Sequence, residues 1–433
     1  MKIDQKIELT IRSLGHSGEG VGSYEGFTFF VDGVLPEETA LVEITELKKK
    51  YGRGRLVSLL KKSEARVHPP CPYFGSCGGC QIMHMAYPQQ LEAKRQRIID
   101  ALIRIGKLQD LEVQLCLASP DCFGYRNKIQ LPVSQEGKMG LYAKNSHNLI
   151  AIEQCLIHCK EGERVFQSLS DLLKVTPLPI RHILIKSAIA TKEILVVFIT
   201  ENPPSPELQK LAEQLAKKEK SIRSVVHSKH EGMGNVILGK EYTSLIGPGF
   251  ITEILGSLSF RVSPASFFQV NPKQALHLYN KALELASLTG QERVLDAYCG
   301  VGTLSLFFAP HVKEVIGVES VPEAICDAKY NAATNQITNV QFHSALAEEY
   351  MRTSPDIDLL LLNPPRKGCD PLFLEGIKRL SPRKLIYISC DPATLARDLA
   401  ILVSYGYKID TIQPVDMFPQ TFHVECVVSC HIP

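Results

Sequence analysis

Beyond about residue 259 the chain alternates short apolar runs with helical stretches, and few architectures accept that rhythm. Arg293-Val294-Leu295-Asp296, Val315-Ile316-Gly317-Val318-Glu319, Asp358-Leu359-Leu360-Leu361-Leu362 and Lys384-Leu385-Ile386-Tyr387-Ile388 read as strands. Helical patterns such as Pro322 to Asn335 and Pro392 to Val403 separate them. Strands and helices taken in turn predict an α/β fold, a doubly wound parallel sheet spanning residues 259–433. Ligands of such sheets bind beyond the C-terminal ends of the strands.

Two of those ends carry suitable residues. In Asp296-Ala297-Tyr298-Cys299-Gly300-Val301-Gly302-Thr303 the glycines let the backbone turn tightly and approach a ligand, and Glu319 closes the next strand where it can accept ribose hydroxyls. No third glycine follows at the dinucleotide spacing. Further on, Cys390 ends an apolar run and Asp391-Pro392 opens a helical pattern, so a thiolate there sits over a helix N-terminus, which lowers a thiol pKa. The plain alternative is a small apolar residue packed at a strand end. Glu425 follows in a strand-like segment, with His423 two residues earlier and so on the same face. Cysteine, carboxylate and the loop Asn363-Pro364-Pro365-Arg366 together suggest covalent attack on a ring.

The first 62 residues alternate apolar and polar positions, as in Ile7 to Ile11 and Phe27 to Val31, with turn signals at Gly15, Gly18-Glu19-Gly20, Asp32-Gly33 and Gly52. They predict a small β-barrel of the oligonucleotide-binding (OB-like) type. Residues 63–258 form a central α+β region. It opens on a Pro-, Cys- and Gly-rich loop holding Cys71, Cys77, Gly78-Gly79 and Cys80, followed by a helical stripe from Pro88 to Leu108. Thirteen cysteines without an apolar leader or a membrane-length apolar run read as reduced thiols plus a metal site, in the cytoplasm. Net charge is only +2, so basic runs matter more than the total. Lys48-Lys49-Lys50-Tyr51-Gly52-Arg53-Gly54-Arg55 and Lys94-Arg95-Gln96-Arg97 are candidate phosphate contacts, or else solvated surface. There is no internal repeat.

Five segments in order, Phe267-Phe268-Gln269-Val270-Asn271, Asp296 to Thr303, Asn363 to Arg366, Ser389-Cys390-Asp391-Pro392 and His423-Val424-Glu425, resemble the RNA uracil-5 methyltransferase family. The N-terminal barrel resembles its small RNA-binding TRAM module, and Cys71-x5-Cys77-Gly78-Gly79-Cys80 the iron–sulfur motif of its ribosomal RNA branch. The resemblance implies a Rossmann-like methyltransferase domain, with S-adenosylmethionine bound by Gln269, Tyr298, Glu319 and Asn363. It implies Cys390 as nucleophile and Glu425 as the base, with His423 ranked second. Asn363 stands where many members have Asp, and Tyr298 where Phe is usual; the Asn amide still offers a donor and an acceptor.

Carbon 5 of uracil attacks a sulfonium methyl only after a nucleophile adds to carbon 6, which is the work expected of Cys390. An amino-group methyltransferase would also use Asn-Pro-Pro but leave Cys390 and Glu425 idle, and an RNA-binding protein retaining the fold would need no cofactor. The barrel and cysteine loop, which transfer-RNA enzymes of the family usually lack, point to 23S ribosomal RNA over tRNA as partner. No obligate protein partner is evident. Cys71, Cys77 and Cys80 need a fourth ligand; Cys155 matches the family position better than Cys159. The resemblance implies a 4Fe–4S cluster, while local spacing suits zinc equally well.

Overall fold

In the computed structural model, which describes residues 1–230, 232 and 237–433, five strands close a barrel: β1 (Lys6–Leu14), β2 (Gly20–Tyr24), β3 (Phe27–Val31), β4 (Thr39–Leu47) and β5 (Tyr51–Lys61). Their order is β1-β2-β3-β5-β4, closed by pairing of β1 with β4. Along β1, Ile7, Leu9 and Ile11 point inward between exposed Lys6, Glu8 and Thr10, the period of two that the sequence displays. Gly52 is no turn. It lies inside β5, where a Cβ would fall 2.4 Å from the Phe29 ring. The basic run around it is partly neutralised, since Lys48 pairs with Glu46 and Arg55 with Glu43.

Helix α1 (Tyr87–Ala101) leads on into a wider π turn over Leu102–Gly106, so the helical stripe read from Pro88 to Leu108 changes its winding near its end. The second basic run is a further correction. Lys94 is fully buried and so cannot contact a phosphate, while Arg95 donates to the Val113 carbonyl and Arg97 to that of Phe422.

The central region contributes β6 (Lys128–Pro132), β7 (Gly140–Tyr142), β8 (Leu149–Ala151), α2 (Lys160–Val175), β9 (His182–Ser187), β10 (Ile194–Thr200), α3 (Pro206–Lys218), β11 (Ile222–Lys229) and β12 (Tyr242–Ile246). One sheet runs β12-β11-β10-β9-β6. Helices α2 and α3 cover one of its faces, while Leu184, Leu195, Val197 and Ile199 on the other join the core of the C-terminal region. That double covering explains why Ile194 to Ile199 is apolar without alternation.

After a hairpin of β13 (Ile251–Leu255) and β14 (Leu258–Val262) comes α4 (Pro272–Ala286), and then the expected alternation. It comprises β15 (Arg293–Ala297), α5 (Thr303–Phe308), β16 (Glu314–Glu319), α6 (Pro322–Thr334), β17 (Val340–Ser344), α7 (Ala347–Thr353), β18 (Leu359–Leu362), α8 (Pro371–Leu380), β19 (Lys384–Ser389) and α9 (Pro392–Ser404). The chain ends on β20 (Lys408–Val415) and β21 (Glu425–His431). The seven strands lie in the order β17-β16-β15-β18-β19-β21-β20. The first five are parallel, and β21 enters antiparallel between β19 and β20. This insertion decides the site, because it brings the start of β21 to the edge where the parallel strands end. Among the described residues no helix is long and apolar enough to cross a membrane.

Candidate active site

The loop after β15 is shaped by backbone that few residues adopt. Tyr298, Gly300 and Gly302 all have positive φ, at 69°, 55° and 79°. The Gly300 N–H donates to Glu319 Oε2 at 3.2 Å, and Glu319 Oε1 accepts from the Val321 N–H at 2.9 Å. Glu319 thus ties the ends of β15 and β16 together and keeps lone pairs for a ligand. The Tyr298 ring packs against Phe373 with centroids 5.4 Å apart. Asn363 lies half-buried directly after β18, and Gln269 is buried just before α4.

Asp296 is the residue the sequence analysis passed over, although it stands first in the quoted motif. It is fully buried, and burial pushes its carboxyl up to about 7. Ser305 donates to Oδ2 at 2.5 Å, while Oδ1 has no hydrogen-bond partner among the described residues. An orphaned carboxylate oxygen beneath the glycine loop fits a cationic donor such as the ammonium of S-adenosylmethionine.

At the next strand ends, the pairing of Ser389 with Cys426, carried one residue further, sets Cys390 opposite Glu425. Glu425 is buried, and desolvation lifts its pKa to about 7 against the opposing pull of Arg366. Cys390 is also pushed up, to about 11, first by burial and next by the Glu425 charge, with Arg366 again opposing. The expected lowering by a helix N-terminus is therefore not found. Asp391 caps α9, its Oδ1 accepting the Ala393 and Thr394 N–H groups at 2.9 and 3.0 Å, so a carboxylate rather than the thiol faces the positive end of the helix.

His423 does not share a strand face with Glu425, because β21 begins only at Glu425. It lies in the preceding turn. Burial and the cations Arg366, Arg97 and Lys94 hold its pKa down to about 4, so the imidazole is neutral. It opens on a cavity of about 400 Å³ with Cys390, Arg366, His16 of the barrel loop, Gln81 of the cysteine loop and Lys144 of the central region. A larger groove of about 920 Å³ runs on between the barrel and α1 and shares His16, Arg97, Asp391 and Phe422 with it. No local pattern marks His16, Gln81 and Lys144 as neighbours of Cys390, because hundreds of residues separate them.

Cys71, Cys77, Cys80 and Cys155 line one separate cavity of about 40 Å³ among Tyr73, Phe74 and Met83, and Cys159 is not part of it. Burial raises the thiol pKa of Cys80, as do Cys155, Cys77 and Cys71 around it, and burial takes Cys155 to about 11. Among the described residues no group of three or more His, Cys, Asp and Glu side chains is arranged to hold a single metal ion. Gly78 and Gly79 lie in a turn, and Gly78 has a second role. A Cβ on Gly78 would come within 3.0 Å of the Tyr142 carbonyl, so glycine is needed for close approach to the β7–β8 hairpin.

Comparison with known proteins agrees with this arrangement. The family model described as tRNA (Uracil-5-)-methyltransferase matches residues 86–431, and the TRAM domain model matches residues 2–57. An uncharacterized RNA methyltransferase of Clostridium tetani is 40% identical, covering 99% of this chain and 96% of its own; one of Halalkalibacterium halodurans is 40% identical over 97% and 96%. Among solved structures, Pyrococcus abyssi tRNA (uracil-54, C5)-methyltransferase in complex with S-adenosyl-L-homocysteine aligns with TM-score 0.79 and 27% identity, over 98% of this chain and 99% of that one. A glycine loop braced by an acid, a strand-end cysteine facing a buried carboxylate, and a family match over most of the chain converge: the chain belongs to the uracil-5-methyltransferase family and is an S-adenosylmethionine-dependent RNA methyltransferase.

Proposed function

We infer that the chain methylates carbon 5 of a uridine in RNA through a covalent adduct at Cys390, with Glu425 as the base. The observation that carries this reading is the register that sets the two opposite each other, with Cys390 on the cavity wall and Glu425 buried at the strand position across from it. The Cys390 thiolate adds to carbon 6, and the displaced ring electrons collect as an enolate, making carbon 5 nucleophilic. Gln269, Tyr298, Glu319 and Asn363 would hold S-adenosylmethionine, which would supply the methyl group as a sulfonium. Glu425 then takes the carbon 5 proton; the C–H electron pair re-forms the ring double bond and expels the thiolate. A pKa near 7 suits a group that must accept a proton at neutral pH and release it again. A base within a helix has to leave its stack to reach this cavity.

With RNA containing 5-fluorouracil the last step is blocked, so the wild type is expected to form an adduct that survives denaturing electrophoresis, and Cys390→Ala none. Cys390→Ala turnover within about tenfold of wild type would overturn the covalent mechanism, since loss of a nucleophile costs roughly a thousandfold or more.

Ribosomal RNA is the proposed substrate, supported by the four-cysteine loop. Transfer RNA is the second reading. The Pyrococcus abyssi structure named for tRNA matches 98% of this chain, so its match includes the barrel, which therefore does not separate the two substrates. Mapping 5-methyluridine by mass spectrometry with and without the gene decides: loss from transfer RNA alone overturns the ribosomal assignment.

The four cysteines are proposed to hold a 4Fe–4S cluster. They line one cavity, and in a cluster each thiolate would bind a different iron. Around one zinc, with bonds of about 2.3 Å, the sulfurs must crowd together. Anaerobically purified protein is expected to be brown, with about four irons per chain. Cys155→Ser should lose them and Cys159→Ser keep them; one zinc per chain in a colourless protein overturns the cluster.

A further inference from the structure

Polar side chains recur along one face of α1 at Tyr87, Gln90, Lys94 and Arg97, the spacing of a helix's inner face. All four bond to the turn between β20 and β21. Tyr87 OH donates to Asp416 Oδ2 at 2.9 Å, and buried Lys94 donates to the Asp416 carboxylate and, at 3.0 Å, to the Phe418 carbonyl. Gln90 exchanges two bonds with Gln420: its Nε2 donates to Gln420 Oε1 and its Oε1 accepts the Gln420 N–H, each at 3.0 Å. Arg97 donates to the Phe422 carbonyl at 2.6 Å.

The same turn is gripped from other sides. The Gln420 carbonyl accepts the N–H groups of Gln81 and Ile82 at 3.2 and 3.1 Å, and Tyr125 OH donates to the Pro419 carbonyl at 2.9 Å. Gln420 is buried with φ of 70°, a conformation that a non-glycine residue keeps only when its surroundings impose it. The turn it shapes begins where Val415 pairs with Glu425 and ends at Glu425 itself. So many fixed bonds on an irregular turn exceed what joining two strands requires.

We propose that α1 is a positioning element for the reaction: Gln90 and Lys94, acting through Gln420 and Asp416, hold the turn that delivers His423 and Glu425 to Cys390. This rests on the covalent reading above. A loosened turn leaves Cys390 able to add to the ring, but slows removal of the carbon 5 proton by Glu425, so the methylated adduct accumulates. A merely structural tie would lower all steps together.

The test uses the full chain with unmodified, in vitro transcribed ribosomal and transfer RNA and S-adenosylmethionine. Gln90→Met is expected to lower turnover by about tenfold or more and to raise the adduct surviving denaturation, with affinity for S-adenosylmethionine unchanged. Gln90→Glu keeps the acceptor for the Gln420 N–H but turns a carboxylate oxygen toward Gln420 Oε1 and the Met85 carbonyl, so it should recover only part of the turnover. Where Gln90→Met does not fold, Gln420→Gly carries the test; it suits the positive φ, keeps the backbone bonds and removes only the side chain. Glu425→Gln is the reference for a stalled adduct. Wild-type turnover, or slowed turnover without adduct while Glu425→Gln accumulates it, overturns the positioning role. No adduct in Glu425→Gln removes the covalent reading and this inference with it.

Discussion

The cofactor end of the sheet and the Cys390 end are built in different ways. At the first, the bonds that shape the glycine loop are short in sequence, Gly300 to Glu319 and Ser305 to Asp296, while Gln269 beside it is tied from the central region, its carbonyl accepting from Asn127 Nδ2. At the second, the turn before Glu425 is held by Tyr87, Gln90, Lys94 and Arg97, more than 300 residues away along the chain. A site closed by neighbours in sequence forms wherever its strand and helix form. One closed by a distant helix exists only when the whole chain has folded. The barrel and cysteine loop reach the second site too, through His16 and Gln81, so its cavity is a meeting of several regions.

This difference is sharpest in stability. Lys94→Met leaves Asp416 buried without its cation and is expected to cost roughly 3–5 kcal/mol, seen as a lower midpoint in urea. A loss below about 1 kcal/mol would mean the turn is held by its other bonds and would weaken the contrast.

Glu425→Gln should act oppositely at alkaline pH. The folded-state pKa of Glu425 lies near 7, above the ordinary carboxylate value, so its favourable contribution is complete below about 4.5 and is lost as pH rises through 7. Removing the charge is then expected to stabilise the protein at pH 8 by on the order of 2–3 kcal/mol, and hardly at pH 4. Thermal melts at the two pH values check this; equal shifts would show that Glu425 is not desolvated. The same variant should lower the Cys390 pKa, measured by alkylation against pH, because the Glu425 charge helps to raise it.

The smallest effect belongs to the locally built end. Glu319→Gln loses the charge and one of the two oxygens that accept from Gly300 and Val321, so affinity for S-adenosylmethionine should fall by about tenfold, some 1.4 kcal/mol, with no adduct accumulating. Adduct in this variant would mean that the two ends are coupled.

What could be read beforehand follows the same division. The alternation of strands and helices, the barrel pattern at Ile7, Leu9 and Ile11 and the glycine loop were legible, because side-chain period and residue type carry them. Misreadings arose where a residue's meaning depends on a distant partner. Lys94 reads as a phosphate contact from its basic run, but it is buried against Asp416. His423 was assigned to a strand that starts two residues later, and Cys390 was expected to have a lowered pKa before Asp391 was seen to cap the helix.

By itself the sequence determined the α/β architecture, the barrel and the residue types placed at the strand ends, since hydrophobic period and backbone preference act over a few residues. Only the tertiary structure decided that β21 enters antiparallel beside β19, that Cys390 therefore faces Glu425, and that α1 supplies the polar brace behind them. Burial is the physical reason: it sets the protonation of Glu425, Cys390 and Asp296 and obliges Lys94 to find Asp416, and burial is a property of the assembled chain.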